Sequence, residues 1–235
     1  MGWLVFHQVR CLQDFGNVVK VEDLIKECIS RTKKILDEKN ELTEEEKEDV
    51  AKKVGVGALI FSNLSTTLIK DSVFVWDKVL DFTGDTAPYI QYVNVRINSI
   101  LKNVEEVYND NIAELKENME ENLRNVLKNI DKDIINSDEV YNIFKYIYEY
   151  EDILKQTAEK YEPSILTSYL LDLAKAFNQY YNKHRISIDD VNLRKLGSII
   201  CIITSKVLVN GMNILGIEMP FTKTLLVIIH IIQVK

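Results

Sequence analysis

The 235-residue chain predicts an all-α protein, a helical bundle preceded by a small, partly extended N-terminal segment. Three observations carry this. Only 8 Gly and 3 Pro leave few places to break a helix. Long stretches carry apolar residues at a 3.6-residue period. Helix-start chemistry stands where those stretches begin.

Residues 1–21 are expected to be extended, with a turn at Gly16-Asn17 before Val18-Val-Lys-Val21. Glu22-Asp23 then opens a helix with Leu24, Ile25, Ile29 and Leu36 inward, the acidic pair suiting the positive end of the helix dipole. Thr43 is the expected N-cap of a second helix, with Glu46 completing a capping box. Val54-Gly-Val-Gly-Ala-Leu-Ile-Phe61 reads as a close-packed stretch. No strand precedes its Gly55-x-Gly57 pair and no third Gly or Lys follows, so helix packing outweighs a phosphate loop. Val73–Asp77 reads as an apolar, aromatic core segment.

A helix from near Pro88 places Ile90, Val93, Ile97, Ile100, Leu101 and Val104 inward. Its acidic continuation through 109–129 keeps Ile112, Leu115, Met119, Leu123, Val126 and Leu127 at helical spacing. A tyrosine-rich stretch, 139–150, leads into a helix through Ile153 and Leu154. Pro163 restarts the chain, with Leu166, Leu170, Leu173 and Phe177 as a buried stripe. A last helix, about 193–209, buries Leu196, Ile199, Ile200, Ile203 and Val207 and is expected to stop at Asn210-Gly211.

A net charge of -7 argues against a broad basic surface that coats nucleic acid, while leaving room for a local site reading a few splayed bases. The scattered cysteines (Cys11, Cys28, Cys201) and histidines (His7, His184, His230) form no disulfide framework or zinc pattern, which fits a reducing cytoplasm. Met1–Phe6 is too short for a secretory signal. The apolar tail Leu225–Ile232 is far shorter than the ~20 residues a membrane span needs, so no membrane partner is expected. Ser, Cys and His do not gather into a nucleophilic site.

The most informative stretch is Phe82–Arg96. Gly84-Asp85-Thr86 turns into Pro88, and Tyr89 and Tyr92, three apart, share a helix face with Arg96 four further on. Tyrosine rings can stack unpaired bases and arginine can pair with phosphate or a base edge. Half-buried packing is the alternative for any one tyrosine in a chain holding 11.

Five segments in register give the chain a resemblance to arginyl-tRNA synthetases: Gly16-Asn-Val-Val-Lys-Val-Glu-Asp-Leu-Ile25, Val54-Gly-Val-Gly-Ala58 with Asp71-x-Val-Phe-x-Trp-Asp77, Gly84-x-Thr-x-Pro-Tyr-x-Gln-Tyr-x-x-x-Arg96, Leu170-x-x-Leu-Ala-x-x-Phe-Asn-x-x-Tyr181 and Val207-Leu-x-Asn-Gly-x-x-x-Leu-Gly-Ile217. The resemblance implies a helical anticodon-binding domain of the DALR type over 54–235, after a remnant of the catalytic domain's end over 1–53. It implies arginine-specific tRNA as partner, with Phe82, Thr83, Gly84, Asp85, Tyr89, Tyr92, Arg96 and Tyr181 near the anticodon.

Departures from that family shape the expectation. Its catalytic domain, with the His-Ile-Gly-His-type ATP site, would precede residue 1. Its second nucleotide loop would fall at Gln13-Asp-Phe-Gly16, where the lysine, serine and arginine that steady developing charge are missing. No cofactor is therefore expected in this chain, ATP belonging to the full-length family. No aminoacylation by this chain alone is expected, and a separate catalytic half is a conceivable partner. The family's Arg-Leu pair in the last helix aligns with Gly197-Ser198, or with Arg194 after a shift. The run Phe221–Lys235 replaces a short tail ending in methionine. A decayed remnant and a helical protein-interaction module are the alternative readings.

Overall fold

The structure, a computed structural model, describes residues 4–6, 20–37, 43–70 and 72–220. The expected turn at Gly16-Asn17, the Gln13–Gly16 loop, Cys11, His7, His230 and the tail from Phe221 lie outside the described residues.

The described residues are overwhelmingly helical, as the sequence predicts. The extended part is a pair of short parallel strands, β1 (Leu4–Phe6) and β2 (Ser72–Phe74), with Val5 opposite Val73. The residues expected to form a core segment at 73–77 thus contribute a strand, followed by one turn of helix, α3 (Trp76–Val79).

Helices α1 (Val21–Asp37) and α2 (Glu44–Leu64) form one unit. Leu24, Cys28, Thr32 and Leu36 repeat every four residues and are all buried, making the single stripe that α1 presents. Thr43 caps α2 as expected: its hydroxyl accepts from the Glu46 N–H at 3.3 Å, and the Glu46 carboxylate accepts from the Thr43 N–H at 3.0 Å. The Gly pair is a packing device. A Cβ on Gly55 would lie 2.9 Å from the Cys28 carbonyl carbon, and one on Gly57 would lie 2.9 Å from Ile217 Cγ2.

Helix α4 (Ala87–Tyr108) starts at Thr86, whose hydroxyl accepts from the Tyr89 N–H at 3.3 Å. All six residues expected on its inward stripe are buried. The chain leaves α4 through Asn109 in the left-handed region, φ 55°. The acidic continuation is broken into α5 (Ile112–Glu117) and α6 (Met119–Asn129), each with its own asparagine at the N-cap position. Of the apolar residues at helical spacing on α6, Val126 is buried and Met119 and Leu123 pack against the core, while Leu127, expected inward, stands 38% exposed.

One turn, α7 (Lys132–Ile135), precedes α8 (Asp138–Glu159), which joins the tyrosine-rich stretch and the Ile153-Leu154 segment into a single helix. Helix α9 (Pro163–Lys183) packs along α8 and buries Leu166, Leu170, Leu173 and Phe177 completely.

Helix α10 (Val191–Ile214) touches α4, α5, α6, α8 and α9 and forms the axis of the main core. It is long and apolar enough by composition to cross a membrane, but 61% of its most apolar window is buried inside the bundle, so core packing accounts for that composition. It does not stop at Gly211. That residue faces Leu170, whose Cδ2 lies 2.6 Å from where a Cβ would be, so its missing side chain serves packing. The helix ends instead at Gly216, φ 75°, where the Ile217 N–H reaches back to the Met212 carbonyl at 2.9 Å.

Candidate nucleic-acid interface

The loop before α4 is built by Asp81. One carboxylate oxygen accepts from the Thr83 N–H and hydroxyl, each at 2.7 Å, and the Thr86 hydroxyl donates to the Asp81 carbonyl. The loop is tied to α9 by the Asp85–Lys175 ion pair at 2.6 Å, which raises the Lys175 pKa above its ordinary value.

From this loop α4 carries Tyr89, Tyr92 and Arg96, while α9 brings Lys175, Asn178 and Tyr181 to the same face at spacings of three. Arg96 stands at the centre. Its guanidinium lies 4.6 Å from the centroid of the Tyr92 ring and 5.4 Å from that of Tyr181. One terminal nitrogen donates to the Tyr92 hydroxyl, and the other donates to Asn178 Oδ1 at 2.9 Å. Asn178 Nδ2 in turn donates to the Tyr89 hydroxyl at 2.8 Å. Tyr181 is also stacked on Phe177, with centroids 6.4 Å apart and planes 14° from parallel. Among the described residues Arg96 has no carboxylate partner, so its charge is uncompensated at the surface. Burial pushes the Tyr92 hydroxyl above its ordinary pKa, against the opposing pull of Arg96.

The structure thus gathers Tyr89, Arg96 and Tyr181, all half-buried, with the exposed Thr83 and Asp85 and the half-buried Gly84 beside them. Phe82 and Tyr92 differ from expectation. Phe82 is 8% exposed and packs among Leu36, Val50, Val54 and Val95, and Tyr92 is 4% exposed beneath Arg96. Neither ring has a face open to a base. Phe82 anchors the loop to α1 and α2, and Tyr92 supports Arg96. Gln91 points away from this face and ties α4 to the segment after α10 by donating to the Glu218 carbonyl at 2.9 Å. Lys175 carries no signal as a residue type, while Asn178 stands in the Phe177-Asn178-x-x-Tyr181 run of the resemblance. Both share the helix face of Tyr181, three (Asn178) and six (Lys175) residues before it.

Arg194, the shifted match to the family's Arg-Leu pair, is structural. It is 5% exposed and grips Asp110 through Nε at 2.8 Å and Nη2 at 3.1 Å. It also donates to the Ile188 carbonyl at 2.7 Å and lies 4.1 Å from the Tyr108 ring centroid. Cys28 and Cys201 are free and fully buried. Burial pushes the Cys28 thiol up to about 11 and Cys201 higher, so neither is a nucleophile at neutral pH. No group of three metal-ligating side chains occurs among the described residues.

Residues 90–222 match the DALR anticodon binding domain, and residues 10–76 match the catalytic domain of class I tRNA synthetases (R). The chain belongs to the DALR anticodon-binding domain family. It is similar to the arginine–tRNA ligase of Halothermothrix orenii, 37% identical over 205 residues covering 87% of this chain and 33% of that protein. The Clostridium kluyveri arginine–tRNA ligase is 38% identical over 204 residues, 86% of this chain and 33% of its own length. Among solved structures, the Thermus thermophilus arginyl-tRNA synthetase superposes with a TM-score of 0.72 at 26% identity, covering 92% of this chain and 34% of that one. The arginyl-tRNA synthetase of Plasmodium falciparum gives 0.68 at 25% identity, covering 87% and 34%. This DALR-family chain therefore spans about a third of the length of the relatives it matches.

Proposed function

We propose that this chain binds the anticodon region of arginine tRNA through the α4–α9 surface formed by Tyr89, Arg96 and Tyr181, with Thr83, Gly84 and Asp85 at its edge. The observation that carries the reading is the Arg96 guanidinium, held between Tyr92 and Tyr181 with no carboxylate partner among the described residues. A fixed cation between aromatic groups suits a splayed nucleotide, which offers both a flat base and a charged phosphate. Membership of the DALR family supports the same assignment.

In this reading the chain contributes recognition in the cytoplasm and no ATP- or arginine-activating site. That chemistry is assigned to the part of the synthetase family's length that the chain does not span, on the same or a separate polypeptide. The two regions proposed, 1–53 and 54–235, are joined through α2, which runs without a break across residues 53 and 54.

Titration of the folded protein with arginine tRNA and an unrelated tRNA, at several salt concentrations, tests the proposal. Preferential binding of arginine tRNA that persists at physiological salt is expected. Equal binding of both, vanishing with modest salt, would overturn it.

A further inference from the structure

We infer that Asn178 is a positioning residue of this surface: its amide fixes the Tyr89 hydroxyl and the Arg96 guanidinium as one donor face for the acceptor atoms of an unpaired nucleotide. The inference rests on the tRNA-binding reading above and deepens it.

The two ends of the amide are used in opposite senses. Oδ1 accepts from Arg96 Nη1 at 2.9 Å, and Nδ2 donates to the Tyr89 hydroxyl at 2.8 Å. A tyrosine hydroxyl that accepts from an amide keeps its own hydrogen for another partner. An arginine has five N–H groups, and Arg96 uses one on Asn178 and one on the Tyr92 hydroxyl. The arrangement therefore holds two side chains from α4 in place while leaving the Tyr89 hydrogen and three guanidinium hydrogens without an acceptor among the described residues. It does so with a neutral group, so the charge on Arg96 is not cancelled. A carboxylate at the same position would hold Arg96 more tightly and defeat that purpose. Pre-fixing a long arginine side chain also removes an ordering cost that binding would otherwise bear.

The test compares Asn178→Asp and Asn178→Ala with the unmodified chain. In Asn178→Asp the carboxylate neutralises Arg96 and draws the Tyr89 hydrogen inward. Its thermal midpoint is expected to equal or exceed that of the original, while affinity for arginine tRNA falls at least tenfold. That split separates positioning from a merely structural role. For Asn178→Ala, the readout is nitrogen NMR of the arginine side chains. A guanidinium with slowed rotation, assigned to Arg96 by its loss in Arg96→Lys, is expected in the original and becomes freely rotating in the alanine variant. Asn178→Asp binding arginine tRNA as tightly as the original, or an Arg96 signal indifferent to Asn178→Ala, would overturn the inference. If Arg96 is fixed by Asn178 and the original chain still shows no preference for arginine tRNA, the positioning stands and the tRNA reading falls.

Discussion

Arg194→Met removes the group that joins the start of α10 to the end of α4. The Arg194 guanidinium makes two bonds to Asp110 and donates to the Ile188 and Asp189 carbonyls. Its side chain is 6% exposed and that of Asp110 is 21% exposed. Breaking a fully buried pair by removing one partner costs about 3–5 kcal/mol, because the other charge is stranded. Asp110 retains some access to water, and methionine restores part of the packing over Tyr108. The expected loss is therefore about 2–3 kcal/mol, lowering Tm by about 4–12 °C in a chain of this size.

Arg194→Lys keeps the charge but not the fork, and about half of that loss is expected. A double-mutant cycle with Asp110→Asn, read by urea unfolding, isolates the pair and is expected to give about 1.5–3 kcal/mol of coupling. Affinity of the folded fraction for tRNA is expected to be unchanged. A stability loss below about 0.5 kcal/mol, accompanied by loss of tRNA binding, would refute the structural assignment and make Arg194 a contact residue.

Gly55→Ala sets a Cβ 2.9 Å from the backbone of Cys28, which cannot rotate aside; the overpacking outweighs the ~1 kcal/mol gain in helix propensity, for a net loss of about 1–2 kcal/mol and faster amide exchange throughout α1. Tyr161 occupies the left-handed region at φ 51° and is 82% exposed, so Tyr161→Gly loses little packing and should raise stability by about 0.5–1 kcal/mol in urea unfolding. The Lys183 ammonium, followed by the backbone N–H at the start of α8, holds the Glu139 carboxyl below its ordinary 4.5. The stability Glu139 contributes is complete above pH 4.5 and is lost as pH falls through its lowered value. Glu139→Gln should therefore lower the urea midpoint at pH 7 and leave it unchanged once the pH is below that lowered value; an equal effect at both would show the pair contributes nothing.

The helices were legible because their physics is local. Thr43 with Glu46 and the stripes of α4 and α9 depend on residues three or four apart, and the structure places them as the spacing requires. Gly211 misled because a glycine in a helix has two meanings, a stop or a close contact. Only the position of Leu170, 41 residues earlier, chooses between them. The same limit applied at the candidate site. The period of α4 placed Tyr89, Tyr92 and Arg96 on one face, but which of them keeps an open surface depends on what α9 and α1 bring against it. Tyr92 and Phe82 were taken inward by those contacts, and the bonds that Asn178 makes to Tyr89 and Arg96 became visible only when α9 was set beside α4.

The central claim is tested most directly by cross-linking. Arginine tRNA carrying a photoactivatable base in its anticodon loop is irradiated with the protein, and the attached peptides are identified by mass spectrometry. Attachment within 82–96 and 177–185, lost in Arg96→Gln, is the predicted result. Attachment confined to other faces, or equal labelling by an unrelated tRNA, would contradict the assignment of the α4–α9 surface to the anticodon.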